Sequence, residues 1–532
     1  MLAEDRYFQT LSEEELWQRY CGFLDLSITE FMNIQKVLLA DEIERVAEST
    51  LGKKIMGTNK PKNLEEFRSI VPLTNYDAYE PYLSERREEV LAIKPHLWCH
   101  SSGRGGSFKW VPHSSEFLEK MTKLCIGSLI LATSQQKGTV NIAPGFRILL
   151  TLPPAPYTSG AQFETVAESL TFRVIPDPKE SKDLDFQRKI QKGFQVALKD
   201  GVDVIGSIAS LMVKMGEVFS EQAQNIKFSP AMLDPRILSR YMRAWIRSKR
   251  EKRGILPKDL WPAKAIMAGG VDSGIYKNDI AHYWGQEPYN PYGLTEAFLI
   301  AVPTWTKKAM VFPPDIVFLE FIPYNEVLKN QTDKNYQPST VLLDQIEIGN
   351  LYEVVITHFY GMPLLRYRTK DLIKVVSLKD EETGVNLPHI VFQRRVDDVI
   401  NLAALAQLDE KTIWQAIFNS KIKVVEWAAC KEYSQNKSYL RLYLETNDGK
   451  SADQMANMID DQLKIIDIDY RDIKSYLELQ PVKVTILSPG TFGRYMEEKR
   501  KEGADLAWLK PPHINASEAS IKRLLELSEP AR

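Results

Sequence analysis

From residue 146 onward the chain keeps returning to short apolar runs: FRILLTL, AIMAGG, FLIAVP, IVFLEFIP, LYEVVIT and IKVVSL. Runs of this length suit buried strands and are too short for a helix that must bury a face. Segments with helical spacing separate several of them, at residues 184–200, 202–217 and 235–252. In the second, Val204, Ile205, Ile208, Leu211, Met212 and Met215 fall on one helical stripe, which reads as core. Strands interleaved with helices restrict the fold to the α/β class, with a large layered N-terminal domain of mixed sheets and helices. No internal repeat or low-complexity tract interrupts the pattern.

A chain of 532 residues is too long for one ordinary core, so at least two domains are expected. Up to about residue 95 the pattern is helical and charged, as in EEELWQRYCGFLDL and EFMNIQKVLLADEIERVAEST. VPLTNYDAYEPYLSER then brings prolines and a turn. A helix is expected to start at Ser115 and Glu116, with Leu118, Met121, Cys125 and Leu129 as its buried stripe. After QRRVDDVIN the order becomes helix, strand, strand, helix, strand, and then a helix over TFGRYMEEKRKEG, ended by Gly503. That order describes a small α+β C-terminal domain. The boundary falls near residues 395–400, giving domains 1–395 and 396–532.

Net charge excludes some classes of partner. With 44% hydrophobic and 26% charged residues and a formal net charge of −2, there is no general attraction to nucleic acid or anionic lipid. The densest basic run, RSKREKR at Arg247–Arg253, reads as the solvated end of a helix. Cys21, Cys99, Cys125 and Cys430 lie far apart and form no C-x-x-C pair, which argues against a disulfide framework or a structural zinc site. MLAEDRYFQT does not read as a secretory signal, and LCIGSLILA falls well short of the roughly 20 residues that span a bilayer. The expectation is a cytoplasmic protein with neither a nucleic-acid nor a membrane partner.

Four motifs carry chemistry. In SSGRGGSFKWVP, residues 101–112, Gly103, Gly105 and Gly106 let backbone N–H groups approach an anion. Ser101 and Ser102 add hydroxyls, and Lys109 adds a mobile positive charge. The alternative is a surface turn; the loop matches neither the Walker nor the dinucleotide pattern. In NPYGLTEAF, residues 290–298, Tyr292 offers a flat face for a base, with Thr295 and Glu296 side by side. A carboxylate near bound phosphates suits Mg²⁺; a solvated Glu296 at a strand-to-turn junction is the alternative. In LRYRTKDLI, residues 365–373, Asp371 can accept from two vicinal hydroxyls or pair with Arg366 or Arg368. In FQRRVDDVIN, residues 392–401, two arginines and two aspartates form either a charged linker or a hinge.

The order of these four motifs before a small α+β domain resembles the adenylate-forming superfamily of acyl-CoA synthetases, peptide adenylation domains and firefly luciferase. VPLTNYDAYEPYLSER, LWPAKAIMAGG, PPDIVFLEFIP, LYEVVITHFYG and GTFGRYMEEKRKEGADLAWLKPPH narrow the resemblance to the acyl acid–amido synthetases, known in plants as auxin-responsive proteins. The resemblance implies adenylation of a carboxylic acid by ATP with Mg²⁺, then acyl transfer to an amine such as an amino acid. It implies that Ser101, Ser102, Gly103 and Lys109 hold the β- and γ-phosphates. Tyr292 would stack on adenine beside Gly293, with Gly269 and Gly270 lining the other side. Thr295 would contact the α-phosphate, Glu296 would ligate Mg²⁺, and Asp371 would bind the ribose. Arg395 would act near a hinge at Asp397 and Asp398, and Lys510 would neutralise charge at the α-phosphate. An acyl-CoA ligase and an inactive nucleotide-binding relative are the alternatives. Three departures from the family pattern stand out: Arg104 in a shortened loop, Lys370 where glycine is usual with Met362 and Pro363 inserted before it, and NLAALAQLDE without its glycine.

Overall fold

The computed structural model describes residues 2–57, 60–100, 109–150, 155–177, 180, 186–223, 234–269, 276–333, 335–396, 399–402, 406–434, 437–467, 470–471, 482–501 and 513–528. The chain divides into two compact units, one running to Gln393 and the other Arg394–Arg532.

Helices lead the larger unit because the sequence supplies their caps. Ser12 with Glu15, and Ser27 with Glu30, form capping boxes that start helices Glu13–Cys21 and Ile28–Val46. Two short strands, β1 (Leu97–His100) and β2 (Trp110–His113), pair antiparallel with His100 opposite Trp110. Helix Ser115–Thr133 follows, starting at Ser115 as expected and capped by Ser114, whose hydroxyl accepts from the Phe117 N–H at 3.2 Å. Its predicted stripe is buried, and the burial extends around the whole second half of the helix.

The apolar runs build two sheets. β3 (Phe146–Leu150), β4 (Phe172–Ile175), β5 (Val204–Ile208) and β6 (Ala265–Gly269) form a parallel sheet ordered β4-β3-β5-β6. Helices Thr158–Ser169, Phe186–Asp200, Ala209–Ala223 and Pro235–Arg250 lie in its crossovers. β7 (Tyr292–Leu294), β8 (Phe298–Pro303), β9 (Met310–Val311), β10 (Val317–Pro323), β11 (Leu351–His358), β12 (Tyr367–Ser377) and β13 (His389–Arg395) form the other sheet, ordered β10-β11-β12-β13-β9-β8-β7. The β10–β11, β11–β12 and β7–β8 pairs are antiparallel. The edge of β10 is covered by Gln35, whose amide donates to the Val317 carbonyl at 2.8 Å and accepts from the Leu319 N–H at 2.9 Å.

Two expectations change. Residues 202–217 are not one helix: Val204–Ile208 is strand β5 and only Ala209 onward is helical. Val204, Ile205, Met212 and Met215 are nevertheless core, as their apolar character requires. The basic run is only partly solvated, because Arg253 turns back past helix Pro235–Arg250 to grip buried Asp259 at 2.6 and 2.8 Å.

The smaller unit carries β14 (Val399–Leu402) and β15 (Ala406–Asp409) as a hairpin not foreseen in NLAALAQLDE. Then come helix Glu410–Asn419, β16 (Val424–Ser434), β17 (Lys437–Thr446), helix Ala452–Ile466, β18 (Val482–Leu487) and helix Thr491–Lys501, in the order read from the sequence. A further helix, Glu518–Ser528, follows. Leu408, Ile413, Trp427, Leu442, Ile459 and Leu463 belong to a core of its own.

Candidate functional site

The hairpin β7–β8 carries Tyr292, Gly293, Thr295 and Glu296, the last two in its turn. Gly293 is required there, since a Cβ would stand 2.8 Å from the Phe298 carbonyl oxygen. Thr295 and Glu296 are half-buried. The Tyr292 hydroxyl crosses to β12 and donates to Asp371 Oδ2 at 2.8 Å. In the opposite sense, the Tyr367 hydroxyl on β12 donates to Glu296 Oε1 at 2.7 Å. Two tyrosine–carboxylate bonds therefore tie the turn to the strand that carries Asp371.

Asp371 owes its position to an irregularity in β12. Between the Val355–Arg368 and Glu353–Leu372 pairs the register shifts, so that Thr369, Lys370 and Asp371 bulge from the ladder. Lys370 has φ +65°, the left-handed region that favours glycine. A lysine held in that region is strained. The Thr369 hydroxyl bridges the gap, donating to the Val354 carbonyl at 2.8 Å and accepting from the Asp371 N–H at 3.1 Å.

The arginines flanking Asp371 are committed elsewhere. Arg366 lies against fully buried Glu320, with Nε and Nη2 at 3.0 and 2.9 Å from its carboxylate. Arg368 makes a similar fork to fully buried Glu353 at 2.9 and 2.6 Å. The pairing of Asp371 with Arg366 or Arg368 weighed from the sequence is replaced by the bond from Tyr292.

Lys109 approaches from β2. It is exposed, with Nζ 5.4 Å from the centre of the Tyr76 ring. The Tyr76 hydroxyl donates to the Trp110 carbonyl at 3.0 Å. Burial pushes the Tyr76 phenol up to about 12, and the negative charges of Glu80 and Glu296 act in the same direction. Tyr76 thus adjoins Lys109 and lies within electrostatic range of Glu296. Its segment, VPLTNYDAYEP, is laid along β12, where the Thr74 N–H donates to Arg366 O and the Arg368 N–H donates to Thr74 O, both at 2.9 Å.

Two buried histidines lie under the turn. His358, at the end of β11, has Nε2 2.8 Å from the Glu296 carbonyl oxygen. Its Nδ1 accepts the Leu364 N–H at 3.3 Å, so Nε2 carries the proton and donates. Burial lowers its pKa to about 3, which keeps the ring neutral. His113 is fully buried, stacked on Phe117 at 5.2 Å, and faces the Thr295 main chain and His358; burial holds its pKa well below the ordinary value.

Lys109, Tyr292, Gly293, Thr295, Glu296 and Asp371 are therefore linked by these contacts into one neighbourhood. Gly269 ends β6, at the carboxyl edge of the parallel sheet where open α/β folds bind ligands. Arg395 ends β13. Ser101, Ser102, Gly103, Arg104, Gly270, Asp397, Asp398 and Lys510 lie outside the described residues. Sequence reasoning missed Tyr76, His113, His358 and Tyr367. A polar histidine within the apolar runs WVPH and VVITH was the available signal for two of them. Among the described residues no group of three or more His, Cys, Asp or Glu side chains is arranged to hold a metal. Glu296, a single half-buried carboxylate, is the kind of donor that fits Mg²⁺, which takes few protein ligands.

Residues 22–170 match the GH3 family N-terminal domain, 310–395 its central domain and 407–519 its C-terminal domain. A jasmonoyl–L-amino acid synthetase, GH3.5 of Oryza sativa subsp. japonica, is 26% identical over 51% of this chain and 49% of its own length. Another, JAR4 of Nicotiana attenuata, is 21% identical over 91% of this chain and 92% of its own. Among solved structures, the AtGH3.15 acyl acid amido synthetase in complex with 2,4-DB superposes with a TM-score of 0.67 at 18% identity, covering 98% of both chains. The first of these alignments spans about half of that relative, while the second and the structural match are nearly end to end.

Proposed function

The chain belongs to the GH3 family, and from that premise we propose that it is an adenylate-forming acyl acid–amido synthetase. A small carboxylic acid attacks the α-phosphorus of ATP, giving an acyl adenylate and pyrophosphate. The amine of an amino acid then attacks the activated carbonyl, giving an amide and AMP. Attack of an anion on phosphorus demands charge neutralisation and alignment more than proton transfer. Lys109, with Ser101, Ser102 and Gly103, holds the β- and γ-phosphates, and Thr295 contacts the α-phosphate. Asp371 binds the ribose, and Tyr292 with Gly293, Gly269 and Gly270 holds the base. Glu296 would hold Mg²⁺, whose contribution is to neutralise charge on the phosphates. Arg395 and Lys510 serve the small domain, residues 396–532, which is mobile in this reading and presents different groups to the two half-reactions.

The single observation that supports this assignment is the convergence of Lys109, the Thr295–Glu296 turn and Asp371 through Tyr76, Tyr292 and Tyr367. The four cysteines are unpaired, and three are buried, which supports a reducing, cytoplasmic compartment. ATP–pyrophosphate exchange over a panel of carboxylic acids tests the reading, followed by trapping with amino acids or with coenzyme A. Exchange with an acid and amide formation are expected. Exchange followed only by thioester formation would reassign the second step, and no exchange with any acid would leave a nucleotide-binding relative.

A further inference from the structure

Glu296 is held at two points, and both holds come from the β11–β12 side of the sheet. Its main-chain carbonyl accepts from His358 Nε2 at 2.8 Å, and its carboxylate accepts from the Tyr367 hydroxyl at 2.7 Å. The turn itself offers little restraint: its internal bond, Ala297 N–H to Leu294 O, is 3.3 Å long, and Phe298 beyond it has φ +56°. The His358 ring, by contrast, is fixed in every degree of freedom that matters. The His358 main-chain N–H donates to Leu364 O at 2.8 Å, while the Leu364 N–H donates to ring Nδ1 at 3.3 Å, closing the loop between them. That loop is pinned at its tip, where Gly361 N–H donates to buried Glu42 at 2.7 Å and the Tyr360 hydroxyl donates to Asp315 O at 2.6 Å. The ring is fully buried, so its N–H meets the Glu296 carbonyl in the absence of competing water. A core position needing only to be filled would take an apolar side chain without the cost of burying an imidazole.

We propose that His358 and Tyr367 are positioning residues that clamp the Thr295–Glu296 turn, His358 through the main chain and Tyr367 through the carboxylate, so that Glu296 is aimed before any ligand arrives. The inference rests on Glu296 being the magnesium ligand of the reading above. Groups that orient a metal's ligands are worth on the order of 10- to 100-fold in metal affinity. A clamp of this kind sets how tightly the divalent ion is held with the nucleotide and leaves the nucleotide's own contacts through Asp371 untouched.

The test uses the full chain, Mn²⁺ as the probe ion and a non-hydrolysable ATP analogue, with free Mn²⁺ read by electron paramagnetic resonance. Wild type, Glu296→Gln, His358→Phe, His358→Gln and Tyr367→Phe are compared, with affinity for the analogue without metal measured alongside. His358→Phe and Tyr367→Phe should each weaken Mn²⁺ binding by about tenfold or more. His358→Gln, which keeps an N–H at a similar reach, should restore most of it, and metal-free analogue affinity should stay within about twofold throughout. Tyr367→Phe removes one hydroxyl and carries the test should His358→Phe not fold. Wild-type Mn²⁺ affinity in the folded His358→Phe or Tyr367→Phe protein, alongside lost affinity in Glu296→Gln, overturns the clamp and spares the assignment of Glu296. Wild-type affinity in Glu296→Gln overturns that assignment, and the clamp with it.

Discussion

Glu296 and Asp371 each accept a hydrogen bond from a tyrosine, yet they face different demands. Changing either to its amide removes charge while keeping volume and an acceptor oxygen for Tyr367 or Tyr292. Glu296→Gln should lower magnesium-dependent pyrophosphate exchange by about 100-fold or more with an unchanged melting temperature. Near-normal exchange would remove Glu296 from the mechanism. Asp371→Asn should act on binding instead. A hydrogen bond to a charged group is worth about 1.5–3 kcal/mol, so the nucleotide dissociation constant should rise by about tenfold or more. Calorimetric titration with a nucleotide decides it, and an unchanged constant counts against the ribose contact. Beside it, Lys370 at φ +65° makes a prediction of opposite sign. A left-handed non-glycine residue costs about 1–2 kcal/mol, and glycine loses part of that gain to chain entropy. Lys370→Gly should therefore raise the urea midpoint, by up to about 1 kcal/mol in stability.

At the scale of elements, the strand that mattered most was legible in existence but not in shape. IKVVSL reads as a strand; the structure begins that strand, β12, already at Tyr367 and puts a bulge at Thr369–Asp371. Bulges leave no periodic mark, so no spacing argument finds them. The same limit explains residues 202–217. β5 is buried in the middle of a parallel sheet, and such a strand loses the polar alternation that separates strands from buried helix. Gly206 was the overlooked signal: it sits where a Cβ would stand 2.8 Å from the Leu150 side chain, and glycine inside a helix is costly. Lys109, Tyr292, Thr295, Glu296 and Asp371 are readable from the sequence as an ordered set of candidates, whereas Tyr76 and Tyr367 carry no such mark and His113 and His358 only that of a histidine inside an apolar run, because their contacts arise on folding. The bulge can be tested directly. Thr369→Val keeps the volume but removes the hydroxyl that serves Val354 O and Asp371 N–H. Leaving buried polar groups unpaired should cost about 1–3 kcal/mol. If the hydroxyl also sets the aim of Asp371, nucleotide affinity falls with stability; a stability loss alone limits Thr369 to the fold.

For the whole molecule, the consequence of two units is that pH acts on them differently. The smaller unit holds its own apolar core, so it has the means to unfold as a separate cooperative step. Near that core His513 lies flat on Trp427, 4.6 Å between centroids, and bonds to Glu410 through Nδ1 at 2.6 Å and to Glu426 through Nε2 at 2.7 Å. Two carboxylates, which accept only, require both ring nitrogens to donate, so the ring is an imidazolium. Burial alone would lower its pKa; the bonds to Glu410 and Glu426 outweigh burial and raise it to about 9. In the unfolded chain it returns to about 6.5. The folded value is the higher one, so the stabilisation is complete below about pH 6.5 and disappears as pH rises through 9. Calorimetry of the full chain between these limits should show one transition moving down by on the order of 5 °C and another nearly still. The separately expressed chain Arg394–Arg532 should reproduce the moving transition, and His513→Gln should flatten it. A transition equally pH-dependent in His513→Gln would assign the effect to other groups, and with it remove the imidazolium from between Glu410 and Glu426.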